Sequence, residues 1–139
     1  MIALDTNVLV RVVTADHPEQ LALALEVLQS GELWVSKTVL LETEWVLRYS
    51  YELSPDVILE TLRRLLGYRN LQVEDRGAVL QAFSLVEAGM DFADSLHLAS
   101  SADAERFATF DRTLAKLARK AQQDGLPPVD LLGAGTSAG

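Results

Sequence analysis

Four acidic residues, Asp5, Glu42, Asp94 and Asp111, stand in apolar or turn-like stretches of this chain. Asp5 ends Met1-Ile2-Ala3-Leu4, and Glu42 follows Val39-Leu40-Leu41. Asp94 opens Asp94-Ser95-Leu96-His97-Leu98-Ala99, and Asp111 follows Phe107-Ala108-Thr109-Phe110. Carboxylates in such places are expected to lose hydration on folding. Two of them about 4 Å apart repel by roughly 4 kcal/mol at an effective dielectric of about 20. A hard divalent cation, Mg²⁺ or Mn²⁺, prefers oxygen ligands and turns that repulsion into binding energy. The residue types point to metal-dependent chemistry.

The elements that must position these acids are short. Ile2-Ala3-Leu4 reads as a buried strand, with a helix from about Asn7. Pro18 at a first helical position starts a second helix through Leu21, Leu25 and Leu28, which Ser30-Gly31 ends. Leu33-Trp34-Val35 is a second strand, and Ser36 or Thr38 caps the helix that carries Glu42. Ser54-Pro55-Asp56 opens a helix that runs to Gly67. Leu71-Gln72-Val73 reads as a strand, and a helix from about Arg76 to Ala88 stops at Gly89. The remaining elements are a helix over Phe92 to Ala102, a strand over Phe107 to Thr109, a helix over Arg112 to Gln123, and an edge strand over Pro128 to Leu132. Short strands alternating with helices imply an α/β domain with a parallel sheet covered on both faces. Sites in such sheets form beyond the carboxyl ends of the strands. Asp5 and Asp111 both follow strands and are expected to meet there with Glu42 and Asp94. One domain over residues 1–132 is expected, with a mobile small-residue tail over 133–139.

Composition bounds the partners. At 139 residues the chain has room for a core. It has no cysteine, so disulfide scaffolds, zinc–thiolate sites and cysteine nucleophiles are excluded. No signal peptide or membrane-spanning stretch is legible, and a soluble cytoplasmic protein is the expectation. The net charge of −8 opposes nonspecific nucleic-acid binding but suits a basic protein partner. The bases are unevenly placed. Arg112, Lys116, Arg119 and Lys120 recur at helical spacing beside Asp111, either as a solvated face or as a phosphate track for RNA. Arg11, just past Asp5, is a further candidate contact to the nucleic-acid strand.

The segments Leu4-Asp5-Thr6-Asn7, Thr38-Val39-Leu40-Leu41-Glu42, Asp91-Phe92-Ala93-Asp94-Ser95-Leu96 and Thr109-Phe110-Asp111 together resemble the PIN-domain family. Within it the chain looks most like the VapC-type toxin ribonucleases of type II toxin–antitoxin pairs. The resemblance runs from Met1 to about Leu132, with all four motifs in order. It implies a three-layer α/β sandwich around a parallel sheet, over residues 1–132, acting as an Mg²⁺- or Mn²⁺-dependent endoribonuclease. Asp5, Glu42 and Asp94 then match the primary metal ligands, and Asp111 completes a second site or binds through water. Thr109 matches the hydroxyl that orients a carboxylate or water. Asn7 is expected to support the Asp5 carboxylate, and Asp91 is either a further member of the site or a solvated loop acid. Phosphodiester hydrolysis develops charge on the attacking and leaving oxygens, which a metal stabilises while activating water. The resemblance also implies a homodimer and a cognate antitoxin. The apolar stretch Trp45 to Tyr51, with Leu59, Leu62 and Leu66, is core or a groove for a basic, amphipathic antitoxin segment.

Other readings compete. Asp5, Asp94 and Asp111 all have positions suited to helix caps, and capping is compatible with metal binding. Glu42 has no such account, because it interrupts an apolar face with no evident partner. Glu44, two residues on, should face away from it. His97 lies three residues after Asp94, but the family has an apolar or variable residue there and gives it no base role. His17 reads as a surface residue. An Asp-nucleophile phosphatase would need a second acid where Asn7 stands. A non-catalytic PIN-fold binding module would keep the fold without the chemistry, and the aromatics read as core or interface residues rather than base-stacking platforms.

Overall fold

A helix that follows directly on a strand starts with unpaired backbone N–H groups, so the residue between the two must supply an acceptor. This chain meets that demand repeatedly. The computed structural model describes residues 1–133, in two compact units, Met1–Arg76 and the chain from Gly77 onward.

In the first unit, strand β1 (Ile2–Ala3) leads through Asp5 into helix α1 (Thr6–Thr14). Helix α2 (Pro18–Gln29) follows, with Pro18 in its first turn and the exposed His17 as N-cap; Nδ1 of His17 accepts from the Gln20 N–H at 3.1 Å. Strand β2 (Leu33–Val35), helix α3 (Lys37–Tyr49), helix α4 (Pro55–Leu66) and strand β3 (Leu71–Val73) complete the unit. Ser36 caps α3 and Ser54 caps α4. The strands pair in parallel in the order β1-β2-β3, with Ile2 opposite Leu33 and Leu33 opposite Leu71. Leu4 N–H still donates to Trp34 O at 2.9 Å, so β-type pairing continues to the edge of Asp5.

One expectation is corrected here. The first strand is not buried: Ile2 and Ala3 are exposed, and only Leu4 is inside. The reason is its place at the edge of the three-stranded sheet, which leaves one side without a strand. The buried residues of this unit lie elsewhere, among them Leu9, Leu33, Val35, Leu40, Leu47, Ile58 and Leu62. Helix α1 packs on α2 and α3, and α3 packs on α4.

The second unit carries helix α5 (Arg76–Glu87), helix α6 (Phe92–Ala99), strand β4 (Phe107–Thr109), helix α7 (Arg112–Ala121) and strand β5 (Val129–Leu131). Gly89 follows α5 at φ +102°, a conformation glycine adopts without strain. Helix α6 ends at Ala99 rather than Ala102, because Ser100 caps it and the chain turns through residues 101–104. Helix α7 ends at Ala121, where Gln122 turns left-handed. β4 and β5 pair in parallel, with Phe107 opposite Val129 and Thr109 opposite Leu131. Leu85, Met90, Leu98 and Ala118 form a buried cluster, flanked by Phe107, Leu117 and Leu126.

The chain is therefore mixed α/β with short parallel strands, as expected. Among the described residues no helix is long and apolar enough to cross a membrane. The tail expected over 133–139 lies outside the described residues apart from Gly133.

The capping assignment is testable. Ser36 Oγ accepts from the Val39 N–H at 3.2 Å, whereas Thr38 lies inside the helix. Ser36→Ala should lower stability by about 1 kcal/mol in urea denaturation, and Thr38→Ala by clearly less. Equal losses would contradict the assignment.

Candidate functional site

Each candidate acid is held by local backbone geometry. In the first unit, Asp5 is the N-cap of α1, and its Oδ1 accepts from the Thr6 N–H at 2.8 Å. Glu42 lies one turn into α3 and is exposed. The apolar face it was expected to interrupt belongs instead to Leu40, Thr43, Glu44 and Leu47, all buried. Helical geometry explains the correction, since residues 40, 43, 44 and 47 share a face and residue 42 falls outside it. Glu44 is the buried acid of this helix and is held by Arg48 one turn later, with Arg48 Nε at 3.0 Å and Nη2 at 3.1 Å from its two oxygens. A buried charge so paired is structural.

Asp5 and Glu42 line one cavity of about 360 Å³, together with Thr6, Asn7, Arg11 and Tyr51. Two features of its wall were not legible in the sequence. Thr6 is only 6% exposed, and among the described residues its buried Oγ1 has no hydrogen-bond partner. Tyr51, read above as part of an apolar stretch, belongs to a polar network. Its hydroxyl donates to Asp16 Oδ2 at 2.8 Å and accepts from Arg11 Nη1 at 3.3 Å. The Tyr51 hydroxyl, and after it that of Thr14, holds the Asp16 carboxyl below its ordinary range, so Asp16 stays ionised. The partners of Asp16, Arg11 and Tyr51, lie 5 and 35 residues away in the sequence.

In the second unit, Asp91 is the N-cap of α6, its Oδ2 accepting from the Asp94 N–H at 3.1 Å. Asp94 therefore sits in the first turn, half-buried, with Asp91 before it. Asp111 caps α7, accepting from the Leu114 N–H at 3.0 Å, and Thr109 Oγ1 accepts from the Asp111 N–H at 3.0 Å. Thr109 thus fixes the backbone of Asp111. The fold resists the ionisation of Asp94. Burial raises its pKa most, then the charges of Asp91 and Asp111, while His97 opposes them. Asp5, Glu42 and Asp111 are exposed, which corrects the expectation that all four lose their hydration.

Arg112, Lys116, Arg119 and Lys120 are all exposed on α7, whose buried face is Leu114, Ala115 and Ala118. Phe110, before Asp111, is 81% exposed and so lies outside the core. The stretch from Trp45 is divided between core and surface. Leu47, Leu59, Leu62 and Leu66 are buried core, but Trp45 and Tyr49 are exposed and in contact, ring centroids 5.0 Å apart, with the Arg48 guanidinium 4.8 Å over Tyr49.

Residues 2–120 match the PIN domain. The chain belongs to the PIN domain family. No curated protein matches the chain with significance. PIN domains are generally nucleases and typically use divalent metals such as Mg²⁺ or Mn²⁺. The donor chemistry here fits such an ion. Every candidate ligand is a carboxylate oxygen, the type hard cations prefer, and Asp94 bears like-charge repulsion that a cation would relieve. Among the described residues, no three His, Asp or Glu side chains form a group able to hold a metal by themselves.

The sign of the Asp94 shift gives a prediction. A carboxyl whose folded pKa is raised destabilises the fold when ionised; that penalty is full above the raised value and disappears as the pH falls through it. In metal-free buffer, Asp94→Asn should raise Tm at neutral pH, with the difference closing as the solution is acidified below pH about 4. A lower Tm for Asp94→Asn at neutral pH would contradict this.

Proposed function

We propose that this PIN domain is a metal-dependent endoribonuclease, the toxin component of a type II toxin–antitoxin pair. The observation that carries the reading is Asp94, a PIN-motif acid half-buried in a first helical turn and repelled by Asp91 and Asp111. A carboxylate kept under such repulsion gains from binding a cation, and a structural carboxylate would be expected to find a basic partner instead. Asp5, Glu42, Asp94 and Asp111 are the ligands we assign, with Thr109 and Asp91 holding their respective helix starts.

In the hydrolysis, water attacks phosphorus and the bond to one sugar oxygen breaks, leaving a phosphate monoester and a hydroxyl. A divalent metal supplies activation of the water and stabilisation of the charge that develops on the oxygens. The chain's own residues do the positioning. Asp5 and Asp111 are fixed by their capping bonds, so their carboxylates are oriented before any ion arrives. The α7 bases, exposed and without ion pairs among the described residues, are assigned to the RNA backbone. The partners we assign are a cognate antitoxin and a second copy of the chain. A basic, amphipathic antitoxin segment suits the net charge of −8 and the exposed Trp45–Tyr49 pair.

Purified protein incubated with a mixed cellular RNA pool and Mg²⁺ should cleave it, and EDTA should stop the reaction. Asp94→Asn should lower the rate by about two orders of magnitude or more, the scale of losing a group that supports transition-state charge. Cleavage unchanged by Asp94→Asn would contradict the assignment.

A further inference from the structure

Arg11 is held more firmly than stability requires. Its Nε donates to Gln20 Oε1, and its Nη1 lies 3.2 Å from Asp16 Oδ1 and 3.3 Å from the Tyr51 hydroxyl. Tyr51 and Thr14 both donate to Asp16, at 2.8 Å. Ala15, left-handed at φ +52°, makes the turn that brings Asp16 back to Arg11. Asp16 is exposed, so its ion pair with Arg11 is screened and contributes little to folding. What the network does secure is the orientation of one guanidinium.

That guanidinium lines the same cavity as Asp5 and Glu42. Its Nε edge is turned to Gln20 and its Nη1 end to Tyr51, a cavity residue. Among the described residues Nη2 donates to nothing, and Arg11 forms no ion pair with Asp5 or Glu42. The pair with Asp16 keeps the cation from collapsing onto the two acids and neutralising them. Thr6 lines the same cavity and is 6% exposed, and among the described residues its buried Oγ1 has no hydrogen-bond partner. A cavity with two carboxylates and one braced guanidinium suits an anion that arrives with a cation.

We propose that Arg11, positioned by Asp16, Tyr51 and Gln20, receives a non-bridging oxygen of an RNA phosphate in the Asp5–Glu42 cavity. The proposal rests on the nuclease reading and adds to it the residue that recognises the phosphate. Arg11 touches substrate. Asp16, Tyr51 and Gln20 act through it as positioning residues.

The test is binding of a fluorescein-labelled pool of single-stranded RNA oligonucleotides, read by anisotropy across a salt series with Ca²⁺ present. Arg11→Ala should weaken binding roughly tenfold, the scale of one charge-assisted hydrogen bond. It should also reduce the slope of log K against log salt by about 0.7, the value for one phosphate contact on a single strand. Arg11→Lys should keep the slope, because it keeps the charge, while binding more weakly than wild type. Tyr51→Phe, which removes one hydroxyl, should weaken binding without changing the slope, and thermal unfolding of each variant reports whether it is folded. If wild type binds RNA and folded Arg11→Ala matches it in affinity and slope, this proposal fails while the nuclease reading stands. If wild type binds no RNA, both fail together.

Discussion

A parallel strand that hands over to a helix leaves N–H groups that need an acceptor, and an aspartate is among the best residues to supply one. In this chain that constraint places Asp5 after β1 and Asp111 after β4. Asp91 does the same for α6 and so sets Asp94 in the following turn. Asp5 and Asp111, which start helices, are among the metal ligands we assign. Capping uses one oxygen of each group in the recorded bonds and holds the side chain in a single orientation. Folding and chemistry therefore place the same demand on these positions.

Most elements were legible because their signals are local. Pro18, Ser54-Pro55 and Gly89 mark helix ends through backbone preferences that need no tertiary context. The capping positions of Asp5 and Asp111 were legible too, since each follows a strand and precedes a helix in the chain. What failed depends on three-dimensional neighbours. The alternation in Ile2-Ala3-Leu4 does not say that β1 is an edge strand. The apolar letters around Glu42 hid that the buried acid is Glu44, since its cost is met by Arg48. The Arg11–Asp16–Tyr51 network spans 40 residues of sequence, and none of its members has an unusual local setting.

The electrostatics divide by location. The exposed acids Asp5 and Glu42 line a cavity whose cation, Arg11, is paired with Asp16. Ionising Asp94 carries a cost, since it is half-buried beside two other acids. The chain pairs Glu44, Glu60, Asp75 and Asp130 with arginines or lysines, whereas among the described residues Asp5 and Glu42 form no ion pair. That contrast, with the like-charge repulsion on Asp94, is the physical basis for reading these acids as cation ligands.

The most direct test of that claim is a Mn²⁺ titration followed by electron paramagnetic resonance, because free and bound Mn²⁺ give different signals. Wild type should bind Mn²⁺, Mg²⁺ should displace it, and Asp94→Asn should bind it at least tenfold more weakly, the scale of about 1.4 kcal/mol. Wild type that leaves Mn²⁺ free at millimolar concentrations, or Asp94→Asn that binds it as tightly as wild type, would contradict the account.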